Sequence, residues 1–562
     1  MKASVTLWLF LLVFSLSAQK PKQSDKIIDG SQIADNYERL ALTNILLDSP
    51  NGKYFDILKQ SFRRVPVDTK YDDNSIDNPF LSLAYTGSNS LSIIDALISN
   101  HCVNSVIAKW FSRKPDGSFG VELMHNRGLY NATDGDILEA NASKRGLARI
   151  KDAGEQLINN SYIIVFMVND LVDMNEHYDR QQKRSKTLIP RLRNGFVASI
   201  TGYVFQLDFN DAVSSAFFEN LWANKGDSDL AKKKDAFDNA QFPLKFVTFT
   251  NDSLESSQYN PGYSLSPRVQ AEPSELMYIL VQGAVQNCVK SLEGRLSQFK
   301  VTTKLYNTWP LRAKIGKKEG LKRDQRYFVY QMRQNKSGEL IGKRKGVIRA
   351  SKIAENGQIA SGQSPASQFY QVGGWNLKKG MQLQQSNDIG GAFSIGYSEG
   401  GVPGLDIRVD INITQRLYQK LPPMCKLYIE GSLQPYSFKV NNGYNGTTTY
   451  TNFVRYGVGI GKEFCFLRNL RLQPFVGYGY EQITNKEDSK QYLRSTFVRP
   501  GFMFGINLKY NVQLYWQYSV YMMDYPITDQ DEKEVIINGQ KNWGNAWNRG
   551  GETNSFGIRF EL

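Results

Sequence analysis

The chain has 562 residues, enough at roughly 100 to 200 residues per domain for about three or four domains. Lys and Arg number 68 against 54 Asp and Glu, a formal charge of +14 with a pI near 9.2. Apolar residues at 41 % and a mean hydropathy of −0.42 exclude a bundle of membrane helices, 46 Gly and 19 Pro exclude a collagen-like or wholly disordered chain, and four Cys exclude a disulfide scaffold.

The chain opens with the basic Met1-Lys2, an apolar run at 5–16 (VTLWLFLLVFSL) and the small residues Ser17-Ala18-Gln19, followed by the polar Lys20-Pro21-Lys22. This is the pattern of a secretory signal peptide over residues 1–19. A membrane anchor is the alternative, but the run is short for a span and polar residues follow at once. No later stretch reaches the roughly 18 consecutive apolar residues of a spanning helix. Export also sets nucleic acid aside as a partner, despite the positive charge.

Residues 20–300 read as an α/β region with room for two subdomains. Thr133 is placed to cap an amphipathic helix with Asp136 in its first turn. Residues 161–168 (SYIIVFMV), 195–207 and 244–250 read as strands, and 274–296 as a helix followed by a strand at 300–305. The acidic stretches at 72–74 and 170–179 lack calcium-loop spacing and read as solvated faces. His101 and Cys102 are adjacent without a second ligand pair at zinc spacing, so they carry no metal assignment.

Residues 301–375 change character. Lys317, Lys318, Lys322, Arg323, Lys343, Arg344 and Lys345 form a basic patch in a turn-rich stretch. The segment reads as a small β module that resembles the SH3-like domain of some periplasmic flagellar assembly proteins. Its charge suits the anionic inner leaflet or an envelope polymer, with a basic solvated sheet as the alternative. Residues 361–367 (SGQSPAS) and Gly373-Gly374 read as the linker onward.

In residues 380–562 the apolar period becomes two. In 405–414 (LDIRVDINIT) odd positions are aliphatic and even positions polar, and the segments 389–398, 426–438, 450–464, 470–483, 497–508, 512–521 and 554–562 complete eight strands. The polar face is small or charged: Asp406, Arg408, Asp410, Glu430, Arg455, Arg471, Glu481, Arg499, Arg559 and Glu561 share it with repeated Gly and Ser. A narrow barrel must fill its interior with such residues, whereas a soluble β-sandwich, the alternative, seldom repeats Gly on its outer face. Long connections at 440–449, 484–493 and 524–552 alternate with short ones at 465–469 and 508–511, as outside loops and periplasmic turns should. Residues 398–404 are short for an outside loop and 415–424 long for a turn.

The chain ends SFGIRFEL, with polar Ser555, then Gly557, then apolar Phe560 and Leu562. This resembles the C-terminal insertion signal of bacterial outer-membrane proteins read by the barrel assembly machinery, although Leu562 stands where Phe or Trp is usual. The last 180 residues or so resemble the small OmpA/OmpX-type eight-stranded barrels, and the signal ending in Ala-Gln with a Tyr- and Asn-rich barrel resembles envelope proteins of Bacteroidota. The resemblance implies outer-membrane lipid as surroundings, a filled anchor rather than a pore, and an N-terminal region in the periplasm.

Cys425 and Cys465 flank one predicted hairpin, so a periplasmic disulfide and a pair of free thiols are both open. The expected fold class is therefore multidomain: an α/β periplasmic region, an SH3-like β module and a C-terminal antiparallel transmembrane barrel. The sequence carries no phosphate-cradling glycine loop or metal-binding His pair. No catalytic, cofactor-binding or metal-ligating residue is assigned, and no enzyme activity is expected. The functional expectation is an anchor whose periplasmic region docks a protein or envelope polymer. A surface receptor using the loop 524–552 with Trp543 and Trp547, and a barrel-tethered hydrolase, are the alternatives.

Overall fold

The computed structural model describes residues 27–29, 39–48, 52–83, 89–131, 158–259, 271–357, 365–441, 447–467, 469–523, 525–537 and 539–562. The expected signal peptide and the helix after Thr133 lie outside these residues. Three sheets organise what is described.

The first unit is α/β. After β1 (Ile27–Asp29), which pairs elsewhere, come β2 (Ala41–Asp48), β3 (Asp72–Asp73), β4 (Phe80–Ser82), β5 (Ser161–Asp173), β6 (Arg193–Leu207) and β7 (Leu244–Tyr259). β2 lies parallel to β3, β4 and β5, while β6 pairs antiparallel with both β5 and β7. The first half of β5 is apolar without alternation, and it and β2 are buried without alternation, as strands covered on both faces are. Helices Ser90–Ser99 and Cys102–Trp110 cover one face around Trp110, Phe111 and Phe217. Helices Phe55–Arg64 and Pro273–Arg295 cover the other. The longer helix opens with Pro, tolerated where the N–H has no intrahelical acceptor, and buries Met277, Leu280, Ala284, Cys288 and Leu292 as one stripe.

Two expectations change here. β7 runs well beyond residue 250 because it keeps pairing along the full length of β6. The acidic stretch at 72–74 is not a solvated face: Asp72 pairs with Arg39 at 3.0 Å, and Asn74 is fully buried. Asp170 is exposed as expected, while Asp173 caps the helix Met174–Arg184 by accepting from the Glu176 N–H at 2.8 Å.

The second unit is a small closed barrel of β8 (Thr302–Thr308), β9 (Leu311–Ala313), β10 (Arg326–Gln334), β11 (Leu340–Lys352), β12 (Ser367–Gly374) and β13 (Gln382–Gln385), with β1 added on β11. Its core is Val301, Leu305, Tyr327, Val329, Ile348, Phe369 and Leu383. The Gly373-Gly374 pair expected in a linker instead ends β12, where Gly374 takes a φ of 90° against the Lys345 carbonyl. The module therefore runs through residue 385, and the large barrel begins at Gly391 rather than near 380.

The third unit comprises β14 (Gly391–Gly400), β15 (Gly404–Asn412), β16 (Cys425–Asn441), β17 (Thr447–Lys462), the short β18 (Phe464–Phe466), β19 (Leu470–Asn485), β20 (Tyr492–Lys509), β21 (Val512–Tyr521), the short β22 (Thr528–Asp529) and β23 (Gly551–Glu561). Leaving aside β18 and β22, each strand pairs antiparallel with the next, and β14 pairs with β23 from Ala392↔Glu561 to Gly400↔Thr553. The sheet closes into an eight-stranded antiparallel barrel, and each of the eight strands expected from period two overlaps one of these, although Ile413 and Thr414, expected at the end of a strand, begin the short helix Ile413–Arg416.

Candidate functional site

Burial in the large barrel is inverted relative to a soluble protein. Along β15, Leu405, Ile407, Val409 and Ile411 are about 40 % exposed while Arg408 and Asp410 are 4 % and 1 % exposed. The same alternation sets Leu427 and Ile429 outside against Tyr428 and Glu430, and Val476 and Tyr478 outside against Phe475 and Gly477. Strand pleating alone produces the alternation, and closure of the sheet turns the polar face inward.

The interior is filled by interlocking side chains. Tyr428, Phe475, Met503 and Tyr515 form an inner apolar knot. A side chain at Gly459 would strike the Tyr428 ring, and a Cβ at Gly477 would stand 2.5 Å from its hydroxyl, which is why this face needs glycine. Around the knot, Arg408 pairs with Asp410 (2.9 Å), Arg455 with Asp406 (3.0 Å) and Arg499 with Glu430 (2.6 Å). Arg559 reaches Asp410 at 3.4 Å, and Arg471 joins Glu463 (2.8 Å) to Glu561. Burying these charges is costly singly, and the network offsets the cost by leaving few of them alone. Two lumen cavities, beside Glu430–Arg499 and beside Asp410–Lys426, hold about 10 Å³ each, the space of about one water.

Both ends are covered. At one end Val402, Phe453, Phe497, Tyr521, Ile527 and Trp543 form an apolar cap. The short 398–404 connection serves it by sending Val402 into the mouth. Trp543 is fully buried and donates to Glu481 at 2.7 Å, and Arg549 pairs with the same carboxylate. Trp547 stacks edge-on against Trp543 at 4.7 Å, so the aromatics expected on an exposed receptor loop are turned into the cap.

At the other end the small module is seated on the rim. Arg349 of β11 reaches Glu561 at 3.3 Å, pairs with Asp388 and donates to the Asp324 carbonyl at 2.7 Å. Burial pulls down the pKa of Arg349, but Asp388 and Glu561 more than offset this and hold it above the usual arginine value. The Asp324 carboxylate accepts from the Asn412 side chain (3.1 Å) and from the Met424 backbone N–H. The long 415–424 turn has its explanation here, since Arg323 donates to the Leu421 carbonyl and its backbone N–H to Gln419, each at 2.6 Å. Phe328 meets Tyr510 edge-on with ring centroids 5.2 Å apart, and Asn507 donates to the Val372 carbonyl at 2.7 Å.

The expected basic patch is divided among different tasks. Lys318 is buried close to Arg39 and Asp72 of the α/β unit, and burial pushes its pKa down to about 7. Arg323 holds the barrel turn, Arg344 lies 4.3 Å over the Tyr510 ring, and Lys317 pairs with Glu355 at the surface. Lys322 is exposed, and Lys343 and Lys345 are half-buried. Lys70, whose pKa burial lowers, bridges Glu293 and the Phe299 carbonyl beneath the module.

All four cysteines are free. Cys425 stands opposite Lys462 and Cys465 opposite Arg471, because β17 ends before Cys465 and the chain has turned onto β18. Of the two readings the sequence left open, the structure has the pair of free thiols. His101 precedes the helix Cys102–Trp110 in a left-handed conformation, and burial pushes the Cys102 thiol up to about 11. Of the C-terminal signal, Ser555 points inward to Ser398 (2.8 Å), Gly557 passes close to the Ile395 carbonyl, and Phe560 and Leu562 face outward.

Sequence reasoning missed Lys426, Glu463, Arg549, Asp388 and Arg349. Lys426 shares the parity of Tyr428 and Glu430 and was legible by that rule. Glu463 lies where the period breaks between β17 and β18, and Arg549 and Arg349 come from a loop and another unit, where no strand period points to the lumen.

The fold and the filled lumen together define a closed eight-stranded antiparallel barrel carrying an α/β unit and a small β module. No known protein family and no curated protein matches the chain. Among solved structures it is similar to a major outer membrane protein of Thermus thermophilus, at 14 % identity and a TM-score of 0.21, over 31 % of this chain and 99 % of that one. It is similar to Ail, the attachment invasion locus protein of Yersinia pestis, at 14 % identity and a TM-score of 0.18, over 30 % and 99 %. It is also similar to CarO of Acinetobacter baumannii, at 11 % identity and a TM-score of 0.18, over 32 % and 100 %.

Proposed function

We propose that this is an outer-membrane protein whose barrel is a filled anchor and whose α/β unit and small module lie in the periplasm, where they scaffold or dock a protein or polymer of the envelope. The observation that carries the reading is the inverted burial. A continuous belt of Ile, Val, Leu and Tyr faces outward on the strands while Arg, Asp and Glu are buried inside. Such a belt in water would be a large aggregation-prone patch; in a bilayer it is the surface that lipid requires. The signal-peptide pattern at residues 1–19 supplies the route of export, and the C-terminal Phe560 and Leu562 supply contacts for barrel assembly. Interlocked charges and two covered ends favour an anchor over a conducting pore. Docking is the role we assign to the α/β unit.

The test is heat-modifiability of the membrane-extracted protein on SDS gels, with protease added to intact cells in parallel. A fast-migrating unboiled band and protection of residues 27–385 are expected. A fully soluble protein without a band shift refutes the membrane reading, and cleavage of the α/β unit on intact cells refutes its orientation.

A further inference from the structure

We propose that the small β module carries a second membrane contact, a site for the phosphate headgroups of anionic phospholipid in the leaflet beneath the barrel. The inference rests on the membrane reading above. The barrel rim that receives the module is edged by outward-facing Leu467, Ile506 and Leu508, each strongly exposed and so placed at the lower border of the apolar belt. Asn507, between two of these, donates to the Val372 carbonyl of β12, which ties that strand of the module directly to this border.

Three residues further along, the chain presents Trp375, 63 % exposed, whose backbone N–H donates to the Lys345 carbonyl at 3.2 Å. Lys378 and Lys379 follow on the same surface loop and are exposed. Next to Lys345, Arg344 lies over the rings of Phe328 (4.7 Å) and Tyr510 (4.3 Å), Tyr510 being the tip of a rim turn. An exposed tryptophan among basic residues at the edge of an apolar belt matches the chemistry of the interface, where the indole sits among headgroups and each cation meets phosphate. Arg323 and Lys318 are committed to contacts within the chain, whereas Lys345 is half-buried, Lys378 is exposed, and the exposed Lys379 lies 5.5 Å from the Tyr306 ring centroid.

The experiment uses the full chain extracted in mild detergent, with phosphatidylglycerol and phosphatidylcholine offered together and bound lipid read by native mass spectrometry. Wild-type protein is expected to retain phosphatidylglycerol over phosphatidylcholine by about tenfold, and the triple variant Lys345→Glu, Lys378→Glu, Lys379→Glu to lose that preference while remaining heat-modifiable. A second readout needs no charge reversal: in vesicles of brominated phosphatidylglycerol, wild-type fluorescence should be quenched more than that of Trp375→Phe. Absence of a preference in the wild type, its persistence in the triple variant, displacement by millimolar inorganic phosphate, or equal quenching with and without Trp375 each overturns the site. Failure of the wild type to show heat-modifiability would instead bring down the membrane reading itself.

Discussion

Replacing Arg349 by Met removes the cation that joins the module to the barrel while keeping much of the side-chain volume. Its two carboxylate partners are almost wholly buried, with 2 % exposure for Asp388 and 7 % for Glu561. Removing one member of a buried pair costs roughly 3–5 kcal/mol because the other charge stays desolvated. The lower end applies here, since Glu561 retains Arg471 and Asp388 retains the Gly390 N–H at 3.0 Å. About 3 kcal/mol corresponds to roughly a hundredfold rise in the population of undocked module. Native-state proteolysis of the full chain in micelles reads that population when opening is fast relative to cleavage. Cleavage within residues 302–385 should accelerate by that factor while the barrel keeps its heat-modifiable band. Adding Asp388→Asn should recover most of the loss, because no unpaired charge then remains beside the substituted arginine position. A change below about 1 kcal/mol, or no recovery in the double variant, would refute the argument that this buried pair seats the module.

Three further outcomes are expected. Trp543→Ala should open the cap and cost about 3–5 kcal/mol, seen as a lower temperature for the band shift of the unboiled protein; an unchanged temperature would show that the cap contributes nothing to stability. Gly459→Leu should block barrel formation by colliding with Tyr428, and Tyr428→Ser in the same chain should restore part of the folded band. Because burial lowers the Lys318 pKa to about 7, the unfolded chain binds more protons than the folded one between that value and the ordinary lysine range. Stability of the joint between the α/β unit and the module should therefore rise with pH from about 7 toward the ordinary lysine value of 10.5, and Lys318→Met should flatten the profile in urea titrations.

Period-two patterning made the barrel legible because a strand places successive side chains on opposite faces whatever surrounds it, so the inner and outer sets could be written down residue by residue. The signature of a buried strand in β5 and of the long helix Pro273–Arg295 was legible for the same local reason: the apolar pattern is set by what each face must touch. The basic segment shows the limit. Lys318, Arg323, Arg344 and Arg349 look alike in sequence, yet one is buried against the α/β unit, one holds a rim turn, one lies on aromatic rings and one enters the lumen network. Which carboxylate a cation meets depends on how separate units dock, and no local period encodes that. The cysteines teach the same lesson, since hairpin spacing brought Cys425 and Cys465 near in principle while the turn into β18 sent them to different partners. The sequence by itself determined the strand faces, the glycine-lined interior and the division into three units; the closure of the barrel, the apolar cap and the ionic seat of the module were decided by tertiary structure, because each joins residues from distant elements whose pairing is fixed only when the whole surface is buried together.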